Sequence, residues 1–532
     1  MIPDNLSRVL ESNDVPTSFE IDALQAGAAE LKAQSRALRK QLRKVEARLN
    51  KHLGALSTIR RIPNEIIGEI LAYALGTPTA MDKHGRAAVL NMGLVCRSWR
   101  IASLLTHELW GNVHIRTSEE LSGSYENIKR WLGRSGALPK SLHLYYNAPQ
   151  SGRDDHLLSP TTLRLLTDGP PLDHLSFGCE YRASLEEFLF HFQLNRQGAP
   201  HRPWDNLRSL DMTVTGDFDD IWWFDTEDAS NSIFNYLPPI TAFKLYFSDE
   251  DVLFHTGRWP GSLRLNIPPA LLERLTSFDI SCGWSGPHIP AMLQHCSNLE
   301  HLSVDLAYMK LDMEDEDIAE QPFPLDGILL PKLRTLQLRR HSEDVHILDH
   351  LIAPALTSLD IGLGGYQIAR EEVETDGTEE DKHFVVDSVV SFIQKRSKCQ
   401  ANLRSLRLYD VDLADPEDLI KLMDAFPSLT HLTLDKVTLP PDDDFWSPLE
   451  ERKYLTNLEH LEVLQVDFAR SRHTIVDIFD MLAERGPLRC KVVMSFETDQ
   501  VQVASAYWDY LSETKDCGID FRIVPVDDHD DE

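Results

Sequence analysis

The sequence predicts an α/β chain in which a long N-terminal helix leads into a small all-helical module and then into an irregular solenoid of strand-and-helix units. Three observations carry this. An uninterrupted heptad alternation runs through residues 20–57. A stretch of helical periodicity with a proline at its start follows over 58–113. Beyond residue 135 a Leu-x-x-Leu-x-Leu pattern recurs nine times. Residues 1–19 are expected to form a flexible N-terminus, 114–526 the solenoid with variable loops, and 527–532 an acidic tail.

The apolar and small residues of the first helix are Ile21, Leu24, Ala28, Leu31, Ser35, Leu38, Leu42, Val45, Leu49 and Leu56. They step by three and four, and no proline interrupts them, so a helix over Glu20–Leu56 is expected. A single apolar stripe on so long a helix needs a cover. Three remain open: self-association as a coiled coil through residues 20–57, packing on the chain's own domains, or an exposed helix for another partner. The opposite face carries Lys32, Arg36, Arg39, Lys40, Arg43, Lys44, Arg48 and Lys51. Anionic lipid, RNA or the acidic remainder of the chain would each suit it.

That remainder is strongly acidic. The 532 residues carry 84 Asp and Glu against 53 Lys and Arg, a net charge of −31. Glu20–Arg61 holds ten basic against four acidic residues, so the rest carries −37. Such a chain repels phosphates and anionic membranes, and neither nucleic acid nor a membrane is expected as a partner. The acidic runs at Asp312–Glu320, Glu371–Asp381, Asp442–Asp444 and Asp527–Glu532 read as solvated loops and an end. Seven cysteines without a short repeated spacing, and an N-terminus without an apolar core, predict a reduced protein of the cytoplasm or nucleus. The size suits two to four domains, or one domain plus a repeat array.

The heptads give way to Ile59-Arg-Arg-Ile-Pro-Asn-Glu-Ile-Ile-Gly-Glu-Ile-Leu-Ala-Tyr-Ala-Leu75. Pro63 suits a first helical turn, Glu65 suits the positive end of the helix dipole, and Gly76-Thr-Pro78 stops the helix. Ile66, Ile67, Ile70, Leu71 and Ala74 form its apolar face. A second apolar stretch, Ala87–Leu105, contains Val95-Cys96-Arg97-Ser98-Trp99-Arg100. There Val95, Trp99 and Ala102 fall at i, i+4 and i+7, the spacing of one buried helical face. Glu108-Leu109-Trp110 follows. A plain helical hairpin with no outside partner explains the spacing equally well.

Ile62-Pro63-Asn64-Glu65-Ile66-Ile67 with Ile70-Leu71, then Val95-Cys96-Arg97-Ser98-Trp99-Arg100, then Leu109-Trp110, resembles the F-box as found in fungal F-box domain proteins. Ile62 replaces the usual leucine, and the interval from Leu75 to Val95 is long, so Thr77–Arg86 reads as an inserted loop. The resemblance implies a three-helix module that docks on the Skp-type adaptor of a cullin ubiquitin ligase. By position it implicates Ile62, Pro63, Ile66, Ile67, Ile70, Leu71, Val95, Cys96 and Trp99 in adaptor docking or in the module's core, without dividing them between the two roles.

The repeated pattern reads Leu172-Leu175-Phe177, Leu207-Leu210-Met212, Ile240-Phe243-Leu245, Leu275-Phe278-Ile280, Leu299-Leu302-Val304, Leu333-Leu336-Leu338, Leu356-Leu359-Ile361, Leu403-Leu406-Leu408 and Leu429-Leu432-Leu434. Leu142-Leu144 is an incomplete member, and Leu458–Val466 permits two registers. Each copy supplies a short strand with alternating inward residues. No unit buries its own faces, so neighbours must stack. Helical clusters return the chain, as in Asp387–Lys395 and Pro416–Phe426. This resembles an irregular leucine-rich repeat array; a single βαβ sheet domain is the alternative.

Residues between the inward leucines should point to the inner, usually concave, surface of the solenoid: His174 and Ser176, Ser209 and Asp211, His301 and Ser303, Thr335 and Gln337, Ser405 and Arg407, His431 and Thr433. Arg339 and Tyr409 lie one step further on. Forked hydrogen bonding and broad contact area make Arg339, Arg407 and Tyr409 the preferred residues for capturing a target protein.

No Gly-rich phosphate loop, His-Glu-x-x-His or Gly-x-Ser-x-Gly turn occurs in a convincing context, and no cofactor is expected. Cys282, His288, His295 and Cys296 form the tightest Cys/His group, with intervals that suit packing rather than zinc. The expected function is therefore non-catalytic: a substrate-recognition adaptor of a Skp-cullin-F-box ubiquitin ligase, contacting the adaptor, through it a cullin, and an unknown protein target. A repeat-based interaction scaffold independent of ubiquitin ligation is the alternative.

Overall fold

The computed structural model describes residues 9–11, 15–76, 81–116, 125–146, 160–179, 190, 203–214, 233–247, 266–282, 289–306, 327–339, 347–362, 384–411, 413, 415–437, 455, 457–466, 491–496 and 520–523. All four acidic runs lie outside these residues. The chain divides into two compact units, residues 1–77 with 87–106 and residues 78–86 with 107–532.

In the first unit, α1 spans Ser18–Leu56. It starts where the Glu20 carboxylate accepts hydrogen bonds from the Thr17 backbone N–H at 2.8 Å and its hydroxyl at 2.7 Å, which offsets an unpaired donor at the helix start. None of its side chains is buried, and Leu31, Leu38, Leu42, Val45 and Leu49 are all more than half exposed.

Three short helices follow: α2 (Asn64–Ala74), α3 (Lys83–Gly93), whose first four residues are grouped with the second unit, and α4 (Arg97–Leu105). Pro63 stands just before the first turn of α2, as expected for a residue without an N–H. Helix α2 buries Ile67, Gly68 and Leu71 and packs against α4, with Ser98 donating to Asn64 Oδ1 at 2.8 Å. A glycine is required at 68: a Cβ there would lie 2.1 Å from the Thr106 hydroxyl oxygen, which itself donates to the Ala102 carbonyl at 2.9 Å.

Two expectations are corrected here. The stretch 77–86 is not one inserted loop, because α3 begins at Lys83; residues 77–80 are not among those described. Val95, Trp99 and Ala102 do not share a buried helical face either. The backbone turns at Leu94 and Val95 and caps α4 at Cys96, so Val95 stands 63% exposed, Cys96 is exposed, Trp99 is half-buried and only Ala102 is buried. Helix α3 ends at Gly93 and the turn at Leu94-Val95 makes the break, which i, i+4, i+7 spacing alone does not register.

The second unit is built on a 14-stranded, all-parallel sheet. Its strands are β1 (Asn112–Arg116), β2 (Ser141–Tyr146), β3 (His174–Cys179), β4 (Ser209–Val214), β5 (Ala242–Phe247), β6 (Ser277–Cys282), β7 (His301–Leu306), β9 (Thr335–Arg339), β11 (Ser358–Gly362), β12 (Ser405–Tyr409), β13 (His431–Asp435), β14 (His460–Val466), β15 (Lys491–Phe496) and β16 (Asp520–Ile523). Two short strands, β8 (Ile328–Leu329) and β10 (Leu351–Ile352), pair separately. Every strand of the large sheet neighbours the next in chain order, which is a solenoid-like arrangement and not the reordered sheet of a single βαβ domain.

All nine repeats contribute a strand at the expected place, and the second and third apolar residues of each face the core. Register keeps like on like: Leu210 lies against Phe243, Phe243 against Phe278 and Phe278 against Leu302. The rings of Phe243 and Phe278 stack with centroids 6.0 Å apart. Leu458–Val466 adopts the register that buries Leu458, Leu461 and Val463.

The Leu or Ile that opens each repeat is buried beside a recurrent backbone device. The carbonyl before one strand accepts from two successive N–H groups of the next repeat, as Thr241 O does from Thr276 N and Ser277 N at 2.8 and 3.2 Å. Asn298, Asn402 and Asn457, each just ahead of an opening leucine, donate side-chain N–H groups to carbonyls of the preceding repeat at 2.7, 3.0 and 3.2 Å. Between strands, Phe384–Ser391 and the π-helical turn Phe392–Arg396 bury Val389, Phe392 and Ile393, and Pro416–Ala425 buries Leu422 and Met423. The periodicity of these clusters placed both helices.

Trp110 belongs to this unit. It stands three residues before Val113 and five before Ile115, and so occupies the opening-leucine position of β1. Its ring is 2% exposed, 4.4 Å from Trp131 and beneath the Arg134 guanidinium at 4.5 Å. The third sequence block, Leu109-Trp110, is thus grouped with the sheet, because the division falls between Thr106 and His107.

Candidate interaction surfaces

Period-two alternation places one residue in every two on the face of the sheet opposite the leucines. The third positions of successive strands form a row: His114, His143, Ser176, Asp211, Lys244, Asp279, Ser303, Gln337, Asp360, Arg407, Thr433 and Glu462. The residues between the inward leucines lie on this face, and each is half-buried or exposed.

Two polar clusters interrupt the row. The first runs over β2 to β6. The rings of His143 and His174 lie 5.0 Å apart, His174 Nε2 is 3.5 Å from Asp211 Oδ2, and Lys244 pairs with Asp279 at 3.0 Å. Burial, with His174 and His114 nearby, pushes His143 down to about 4. Burial holds the Asp211 carboxyl above its ordinary range, although His174 and Lys244 oppose this.

Within this cluster His143 should make the sheet sensitive to acid, while the raised Asp211 carboxyl works in the opposite direction. Unfolded His143 would take up a proton near 6.5, whereas the folded residue resists it until about 4. At this residue the unfolded chain therefore binds more protons between those values, and the stability that His143 contributes falls as pH drops from 6.5 to 4. Comparing thermal midpoints of the parent and His143→Asn across that range checks this: the parent should lose more stability on acidification than the variant.

The second cluster contains all three residues preferred for target capture. Arg339 on β9 donates to Asp360 Oδ2 on β11 at 2.6 Å, and Arg407 on β12 donates to Asp435 Oδ2 on β13 at 2.7 Å. The Gln337 amide, turned so that both its atoms are satisfied, accepts from Arg339 Nε and Nη2 at 2.8 and 3.0 Å. Tyr409 lies between two cations: the Arg339 guanidinium stands 5.9 Å from its ring centroid, and the Lys436 ammonium is 5.3 Å from the ring and donates to its hydroxyl at 3.0 Å.

Gly362 lets the cluster close. In register with Tyr409, it has no side chain to intervene, and a Cβ there would lie 3.3 Å from Arg339 Cδ and 3.4 Å from Tyr409 Cδ1. Burial raises Asp360 above the usual carboxylate range against the opposing pull of Arg339 and Arg407. Asp435 is 3% exposed, and one oxygen each of Asp360 and Asp435 is buried without a hydrogen-bond partner among the described residues. The Arg339 and Arg407 side chains, each held by a carboxylate of the next strand, are still 21% and 36% exposed. Asp360 and Asp435 were not among the sequence-predicted residues; Asp360 shares the row of Gln337 and Arg407, a signal the repeat alignment contains.

The helical module presents a different surface. Of its sequence-predicted residues, Ile67 and Leu71 are each 1% exposed, whereas Ile66, Ile70 and Val95 are 44%, 46% and 63% exposed. Pro63 and Cys96 are also exposed, and Ile62 and Trp99 are half-buried. Leu94, Ile101 and Leu105 add further exposed apolar area. The module thus separates a core row from an uncovered apolar one.

The described residues hold no group of three or more His, Cys, Asp or Glu disposed to bind a metal ion. Within the sequence's Cys/His group, Cys296 is buried, donates weakly to the Met292 carbonyl at 3.5 Å and is pushed up to about 12; His288 and the Cys282 side chain lie outside the described residues. No helix among the described residues is long and apolar enough to cross a membrane. The chain matches no protein-family model and no curated protein.

Proposed function

We propose that the chain is a substrate-recognition adaptor of a Skp-cullin-F-box ubiquitin ligase, with no chemistry of its own. The helical module docks on the Skp-type adaptor, an irregular leucine-rich repeat face captures a protein target, and ubiquitin transfer occurs on other subunits. The observation that carries this reading is the division within α2: Ile67 and Leu71 close the core, while Ile66 and Ile70, one helical turn apart, stay uncovered with Val95. A module this small gains nothing for its own stability from large exposed apolar side chains, and such residues mark protein-binding surfaces. Their positions coincide with the sequence blocks that resemble the F-box.

The Arg339-Asp360-Arg407-Asp435 cluster with Tyr409 supports target capture, because it holds hydrogen-bonded Arg side chains beside a Tyr ring on an accessible sheet face. Expression of the full chain with a Skp-type adaptor tests the proposal: the adaptor should remain bound through purification. A folded chain that retains none would contradict it.

The exposed stripe of α1 favours a second reading, a scaffold that assembles proteins without a ligase. Recovery of a target on the repeats without any adaptor would support that reading over the first.

A further inference from the structure

We infer that α1 pairs with α1 of a second copy of this chain, and that the two helices run antiparallel. The seam extends over five heptads, more than the three or four that sustain a coiled coil, and none of its side chains is buried within the chain. Its inner positions are Ile21, Ala28, Ser35, Leu42, Leu49 and Leu56, alternating with Leu24, Leu31, Leu38, Val45 and His52.

Charge adds to the preference for one direction. Ser18–Leu31 carries Glu20, Asp22 and Glu30 and no basic residue, whereas Lys32–Leu56 carries eight Lys or Arg and only Glu46 as an acid. In a parallel pair the flanking residues Lys32 and Glu46 fall beside the partner's Gly27 and Gln41 and meet no opposite charge, whereas an antiparallel pair can set Lys32 beside the partner's Glu46.

Side-chain size sets the register. In a parallel pair Ala28, Ser35 and His52 each meet their own copies, leaving two underfilled layers and one polar layer. With Leu42 opposite the partner's Leu38, the antiparallel layers become Ala28 with His52, Ser35 with Val45, Leu49 with Leu31 and Leu56 with Leu24. Each small residue then faces a larger one. Ser35 is the floor of a shallow apolar groove on α1 lined by Leu31, Leu38, Leu42 and Val45, and the partner's Val45 would fill it. The same register brings Lys32 beside the partner's Glu46 at both ends. One like-charged encounter, Arg39 with its own copy, falls at the centre, where both side chains reach solvent.

Sedimentation of the full chain should give twice the 60.6 kDa of one copy, and Leu42→Glu, at a position 56% exposed, should return the mass to one copy with an unchanged circular dichroism spectrum. A single-copy mass for the parent at tens of micromolar would overturn the inference, assigning the seam to the chain's own body or to another protein. Oxidative cross-linking tests the direction. Ser35→Cys alone and Val45→Cys alone should give no more covalent dimer than the parent, and Ser35→Cys/Val45→Cys should give it in high yield. Cross-linking by either single variant would establish a parallel pair and overturn the antiparallel one.

Discussion

Leu71→Ala should destabilise the helical module by about 2–5 kcal/mol, and Ile67→Ala by a similar amount, because each removes a side chain that is 1% exposed and leaves a cavity between α2 and its neighbours. Ile66→Ala and Ile70→Ala should cost only a few tenths of a kcal/mol, since surface substitutions away from packed contacts usually do. Hydrogen exchange over residues 64–105 measures both effects. Exchange protection should collapse in Leu71→Ala and remain near the parent's in Ile70→Ala. Equal losses would mean that the exposed row is packed in solution and is not a docking surface.

The second large effect is expected at Arg407. Asp435 is 3% exposed and has a single ion-pair partner among the described residues, the Arg407 guanidinium at 2.7 Å. Arg407→Ala leaves a buried carboxylate uncompensated, which costs about 3 kcal/mol, the lower end for a broken buried pair because Arg407 is about a third exposed. Replacing both partners with apolar residues, as in Arg407→Met/Asp435→Leu, should recover most of the loss. Denaturant midpoints of the parent, the single and the double variants measure this. A single variant as stable as the parent would show that the pair is not formed. Target binding should fall in both variants, so stability and capture separate in the double variant.

Much of the fold was legible because two periods dominate the sequence. The heptads of α1 are broken by neither proline nor charge on the seam, and nine leucine triads each put two residues into one buried row. Strands β1, β15 and β16 escaped because their opening position lacks an aliphatic residue: Trp110 holds it for β1, Arg489 for β15 and Gly518 for β16. The end of α3 escaped for a related reason. Spacing from Val95 to Ala102 satisfies helical geometry, and only the turn at Leu94-Val95 moves Val95 out of the helix.

The site was half legible. Arg339, Arg407 and Tyr409 stood out as side chains suited to binding, but neighbouring strands lie about 4.8 Å apart whatever their separation along the chain, and their partners come from that lateral direction. Asp360 is 21 residues from Arg339 and Asp435 is 28 from Arg407, distances that only the strand register converts into contact. In the helical module, the F-box-like blocks named the residues without dividing them. Burial supplies the division, because Ile66 and Ile67 differ by one helical step of 100° and end on opposite sides of the core boundary.

The most direct test of adaptor docking is calorimetric titration of the purified full chain with a purified Skp-type adaptor, beside Ile66→Glu/Ile70→Glu. Saturable binding by the parent, weakened at least about 100-fold in the variant at an unchanged melting temperature, is the predicted result; this corresponds to roughly 3 kcal/mol, the scale of a central apolar hot spot. No binding by the folded parent, or equal binding by both proteins, would contradict it.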